Sequence, residues 1–86
     1  MSNSLPTAII TGASRGIGRA LAILLAQNNF QLSLVARNKG ELKDLAAEIT
    51  EMGHRPLYFD GDVSDEAFVE LAVEKTMHTF GHIDFV

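Results

Sequence analysis

A chain of 86 residues is long enough for one small core and too short for two domains, and with 47% hydrophobic and 21% charged residues it leaves no room for a long disordered tail. A net charge of −4 argues against general nucleic-acid binding, and the lack of cysteine excludes a disulfide framework, a thiolate zinc site and a cysteine nucleophile. Met1-Ser2-Asn3-Ser4-Leu5-Pro6 has neither the basic region nor the apolar core of a signal peptide, and no apolar run approaches the roughly 18 residues of a membrane span. The expectation is a cytoplasmic protein with no membrane partner.

Pro6 sets up an extended entry into a first strand from Thr7 to Thr11, whose run Ala8-Ile9-Ile10 lacks polar alternation and is therefore expected to be covered on both faces. The turn Thr11-Gly12-Ala13-Ser14-Arg15-Gly16-Ile17-Gly18 follows. Glycines at a strand-to-helix turn allow a backbone to approach a ligand closely, and the start of the next helix directs unpaired N–H groups to the same place, which suits a phosphate. Ile17, Ala20, Leu21, Leu24 and Leu25 recur at three and four, predicting a helix with that stripe against the sheet, stopped by Asn28-Asn29 with Phe30 folding back.

Gln31-Leu32-Ser33-Leu34-Val35-Ala36 reads as a second strand, with Arg37 at its carboxyl end. Asn38 and Glu41 fit, loosely, a capping box for a helix whose inward positions are Leu42, Leu45, Ala46, Ile49 and Met52, ended by Gly53. Pro56 opens a third strand through Leu57-Tyr58-Phe59, closed by Asp60-Gly61-Asp62. Ser64 reads as the cap of a third helix with Asp65 and Glu66 in its first turn; Val69, Val73, Met77 and Phe80 form its stripe, broadened by Phe68, Leu71 and Ala72. Gly81 ends it, and Ile83-Asp84-Phe85-Val86 begins a fourth strand.

The order β-α-β-α-β-α plus a strand stub predicts an α/β fold, the N-terminal half of a Rossmann-type doubly wound parallel sheet with strand order 3-2-1-4. Two helices are expected on one face and the third on the other. Gly12 to Gly18 then lie at the switch point above the carboxyl ends of the strands, where such sheets bind ligands. Residues 1–86 are expected to be one portion of a single domain, truncated after the start of strand four.

The glycines Gly12, Gly16 and Gly18 follow G-x-x-x-G-x-G, not the common G-x-G-x-x-G. With Asp62-Val63 after strand three and Gly81-His82-Ile83-Asp84 before strand four, this loop resembles the cofactor signature of the short-chain dehydrogenase/reductase family, over nearly the whole chain. The resemblance implies a nicotinamide dinucleotide cofactor. In that frame Gly12 turns the strand tightly, Gly16 admits the pyrophosphate, Gly18 lets the helix pack closely, Ser14 offers a hydroxyl, and Ile17 supplies a backbone N–H while its side chain packs in the core. Asp62 takes the adenine amino group, its alternative being a turn or capping carboxylate, and Val63 lines the ring.

An NAD enzyme usually carries an acid about 20 residues after the loop to hold the ribose 2′-hydroxyl. Here strand two ends in Ala36-Arg37, without that acid. Arg15 resembles the second basic residue of NADP-preferring members, so Arg15 and Arg37 are expected to close on a 2′-phosphate with Asn38 adding a hydrogen bond; the alternative is a pair of solvated surface arginines. NADP is thus expected over NAD.

The family's Tyr-x-x-x-Lys arrangement is absent: Tyr58 has Asp62 four residues on, and packing is its expected role. No family catalytic residue is present, and His54, His78 and His82 lack metal-ligand spacing and read as surface or capping residues. The expectation is the cofactor-binding portion of an NADP-dependent oxidoreductase transferring hydride between NADPH and a carbonyl or alcohol, acting on that substrate only in a full-length, homo-oligomeric form. By itself the chain is expected to expose apolar surface and not to turn over. A stand-alone, non-catalytic NADP-binding or redox-sensing module is the alternative, and a degraded paralogue that binds no nucleotide is a third.

Overall fold

The computed structural model describes residues 5–86, so the polar stretch at residues 1–4 lies outside the described residues. Six elements alternate: β1 (Thr7–Thr11), α1 (Gly16–Gln27), β2 (Gln31–Ala36), α2 (Lys39–Glu51), β3 (Leu57–Asp60) and α3 (Glu66–Phe80). The strands form one parallel sheet in the order β1-β2-β3, with Ala8 opposite Leu32 and Leu34 opposite Tyr58.

Side chains alternate along a strand, and here both faces are used. Ala8, Ile10, Leu32, Leu34 and Ala36 join Ala22 and Ala26 of α1 and Leu42, Leu45, Ala46 and Ile49 of α2 in one buried cluster. Ile9 and Val35 face α3 instead, beside Phe68, Val69 and Ala72. On that face the buried hydroxyls of Ser33 and Thr76 are hydrogen-bonded at 2.8 Å, which satisfies two polar groups that would otherwise be costly to bury. Two helices on one side and one on the other is the expected layering.

The expected fourth strand is not formed among the described residues. Phe85 alone makes a parallel bridge to Ala8, with Ile9 N–H donating to Phe85 O at 2.9 Å and Asp84 N–H to Thr7 O at 2.8 Å. These bonds use the backbone groups of β1 that point away from β2.

Two helical stripes differ from expectation. Ile17 is 88% and Leu24 54% exposed, with Ala20 and Leu21 also outside, while α1 meets the sheet through Gly18, Ala22, Leu25 and Ala26. The cause is close approach: a Cβ at Gly18 would overlap the Gly12 carbonyl and sit 3.2 Å from Ala13 Cα, so the helix lies on its smallest residues. The core packing expected of the Ile17 side chain is therefore wrong. In α3 the buried positions are Ala72 and Thr76, while Val69, Val73, Leu71 and Met77 stay more than a third exposed.

The ends of the helices follow the local chemistry. Asn28 terminates α1, Asn29 takes φ 65°, and Phe30 folds back to donate its N–H to Leu25 O and pack on the core. In α2 only Met52 of the expected stripe is not buried, because it falls at the C-cap. The cap of α3 is Asp65, not Ser64: Asp65 Oδ1 accepts from Ala67 N and Phe68 N, while Ser64 turns back to Asp62. Tyr58, expected to pack, is 43% exposed on the outer strand. His54 Nε2 contacts Ala26 O at 2.8 Å and His82 Nε2 contacts Leu5 O at 3.0 Å, both bracing loops against neighbouring elements.

Candidate functional site

An open cavity of about 490 Å³ lies above the carboxyl ends of the strands, lined by Thr11, Gly12, Ser14, Arg15, Ala36, Arg37, Asn38, Gly61 and Val63. Its position follows from the sheet. Each strand ends in a turn on the same side, and the loops after β1, β2 and β3 all open there.

The loop after β1 is shaped by backbone. Gly12 and Gly16 have φ 64° and 62°, the left-handed region that disfavours any residue with a Cβ, and Ala13 N–H is anchored to Val35 O at 3.1 Å. Ser14, within the loop, is buried. Arg15 is the N-cap of α1 in extended conformation, with no side-chain cap and no acid in the first turn. The helix thus starts with N–H groups and dipole directed at the loop and no carboxylate competing for them.

Two arginines flank the cavity, and both are paired. Arg15 Nε and Nη2 stand 3.3 and 3.2 Å from Glu41 Oε1, and Arg37 Nη2 stands 3.5 Å from Asp62 Oδ1. Arg15 and Arg37 side chains are 74% and 80% exposed, so these pairs are loose and solvent-screened. No carboxylate occupies the end of β2, where Ala36 leads directly into Arg37.

Asp62 Oδ1 accepts from Ser64 N and from Ser64 Oγ, each at 2.9 Å. The Ser64 backbone bond first, then its hydroxyl, with Arg37 adding its charge, hold the Asp62 carboxyl below the usual carboxylate range. The turn-carboxylate alternative therefore describes part of what Asp62 does. Asn38, which lines the cavity, caps α2 by accepting Glu41 N at 2.9 Å through Oδ1, which leaves its amide N–H₂ unused by the cap. Only half of the expected capping box forms, because the Glu41 carboxylate is turned to Arg15.

Of the expected site residues, Gly12, Ser14, Arg15, Arg37, Asn38 and Val63 line this cavity; Gly16 and Ile17 begin α1 beside it, Gly18 packs beneath it, and Asp62 meets it through Arg37. Sequence reasoning named Thr11 in the turn and Ala36 at the end of strand two without assigning them to the site, and missed Gly61 in the lining and Glu41 as the partner of Arg15. The first two were recognisable as the last residues of parallel strands. Gly61 has a packing cause: a Cβ there would lie 2.6 Å from the Phe68 ring.

Residues 6–86 match the family model described as short chain dehydrogenase. The chain belongs to the short-chain dehydrogenase family. The L-rhamnose 1-dehydrogenase (NAD(P)(+)) of Sphingomonas sp. (strain SKA58) is 39% identical over 79 residues, covering 91% of this chain and 31% of that protein. The alcohol dehydrogenase of Thermococcus sibiricus, solved in complex with 5-hydroxy-NADP, superposes with a TM-score of 0.86 at 40% identity, over 94% of this chain and 35% of its own. A short-chain dehydrogenase/reductase from Burkholderia phymatum in complex with NAD superposes with a TM-score of 0.88 at 29% identity, over 92% of this chain and 28% of its own. This short-chain dehydrogenase chain has their Rossmann-like α/β fold and spans about a third of their length.

Proposed function

We propose that the chain is the cofactor-binding portion of an NADP-dependent short-chain oxidoreductase that transfers hydride between NADPH and a carbonyl or alcohol. The observation that carries this reading is the placement of Arg15 and Arg37 on one cavity whose β2 end bears no carboxylate. A 2′-phosphate needs guanidinium donors, and an acid at that position would repel it. Relatives complexed with NADP and with NAD both exist, so the choice rests on these side chains.

In this reading the pyrophosphate lies over Gly12 and Gly16, against the start of α1, where the Ile17 N–H and the helix dipole meet it without a side-chain competitor. Gly18 holds the helix close enough to the sheet for that approach. Ser14 adds a hydroxyl, Asn38 its amide, Asp62 accepts the adenine amino group and Val63 lines the ring. Bound NADPH supplies the hydride. The 86 residues bind and orient; with Asp62 four residues after the sole tyrosine, Tyr58, the proton-transferring groups belong to other parts of a longer protein.

The same reading completes the sheet in the order 3-2-1-4, with Ile83-Asp84-Phe85-Val86 joining the edge of β1. The Phe85–Ala8 bridge supports it. A cytoplasmic location suits a cysteine-free NADP protein, and a homo-oligomeric full-length form goes with this reading.

Binding constants for NADPH and NADH test it. The unmodified chain should favour NADPH by about tenfold or more, and Arg37→Asp should abolish or reverse that preference. Equal affinities, or a preference untouched by Arg37→Asp, would sink the NADP assignment.

A further inference from the structure

Arg15 stands between two environments of opposite character. On one side is the cavity above the strands; on the other is a groove between α1 and α2 lined by Glu41, Asp44, Glu48 and Glu51, with Arg19 the basic residue of its lining and paired to Glu48. The guanidinium is drawn toward the acidic side, since both Nε and Nη2 lie within 3.3 Å of Glu41 Oε1. Glu41 is held on a fixed turn, its backbone N–H bonded to Asn38 Oδ1 at 2.9 Å. Its backbone is thus tied to Asn38, a residue of the cavity, and its carboxylate reaches the cavity edge through Arg15.

We propose that Glu41 is a specificity-determining residue that competes with a ribose 2′-phosphate for Arg15 and so limits the discrimination of NADP from NAD. This rests on the NADP reading above. A phosphate dianion must draw Arg15 from Glu41 and also meets the repulsion of that carboxylate, whereas a 2′-hydroxyl carries no charge and feels neither. Glu41 also pre-orients Arg15, but an exposed pair holds its partners weakly, so the competing and repulsive effects prevail. Asp62 is a poorer competitor for Arg37. Its contact is longer, at 3.5 Å, and its Oδ1 already accepts two bonds from Ser64.

Calorimetric titration of the chain with 2′,5′-ADP and with 5′-AMP tests this at low salt. Glu41→Gln keeps the side-chain size and the backbone cap and should raise 2′,5′-ADP affinity about three- to tenfold while 5′-AMP stays within about twofold. Glu41→Asp, which keeps the charge, should remain near the parent. The gain should shrink in an Arg15→Gln background, where only the direct repulsion is left to relieve, and shrink again at high salt, which a merely structural effect of Glu41 would not do. An unchanged or weaker 2′,5′-ADP affinity in Glu41→Gln, or an equal gain for both ligands, overturns the role of Glu41 while leaving an Arg15-dependent preference of the parent intact. A parent without any preference for 2′,5′-ADP overturns the NADP reading itself, and the role of Glu41 with it.

Discussion

The starts of α1 and α3 solve the same problem in opposite ways. Every helix begins with N–H groups that have no partner within the helix. At α3, Asp65 takes two of them and Glu66 adds negative charge to the first turn. At α1 the cap residue is Arg15, no side chain caps the turn, and no acid stands in it. The first end is closed by its own sequence, whereas the second is left open beneath a glycine loop and beside two arginines. Negative charge at a helix start satisfies its N–H groups; where it is lacking, those groups and the helix dipole stay available to an anion.

The contrast can be broken from either side, and the largest effect is expected at Gly18. A Cβ there would strike the Gly12 carbonyl, so Gly18→Ala should cost about 3 kcal/mol despite the better helix propensity of alanine, and should abolish NADPH binding. Denaturant unfolding and a binding titration check both. At the closed end, Asp65→Ala should cost about 1 kcal/mol in the same unfolding experiment and leave NADPH affinity unchanged, since Asp65 caps α3 and is not among the residues lining the cavity. Loss of NADPH affinity in that variant would erase the distinction between the two ends.

The smallest effect concerns Asp62, which belongs to the turn leading into α3 and touches the open site through Arg37. Its folded-state pKa is lowered by the Ser64 bonds and then by Arg37, so its stabilisation is complete above the ordinary carboxylate value of about 4 and drains away as pH falls through the lower folded value. Asp62→Asn should therefore make the acid limb of a melting-temperature profile shallower below about pH 4, with little change of slope above it. An unchanged limb would show that the ionisation of Asp62 contributes nothing to stability in that range.

Local chemistry made much of this molecule readable in advance. The stop at Asn28-Asn29, the Asn38 cap and the inward run Leu42, Leu45, Ala46 and Ile49 all depend on neighbours within one or two turns. In α1 two faces are apolar, Ile17-Leu21-Leu24 and Ala22-Leu25-Ala26, so periodicity had no means of choosing between them. In α3 the choice fell to Ala72 and Thr76, because a hydroxyl at Thr76 finds Ser33 on a strand 43 residues away in sequence. The cap of α3 moved one residue because Ser64 was already committed to Asp62.

By itself, then, the sequence determined the alternation of strands and helices, the glycine turn after β1, and the presence of arginine where an acid would select NAD, because each is a property of residue type and short spacing. The tertiary structure alone decided which helix faces are buried, that Gly18 must be bare against Gly12, and that Arg15 and Arg37 pair with Glu41 and Asp62. Those outcomes depend on how closely elements distant in sequence approach one another, and that distance is set by packing the sheet against its helices, which no local pattern encodes.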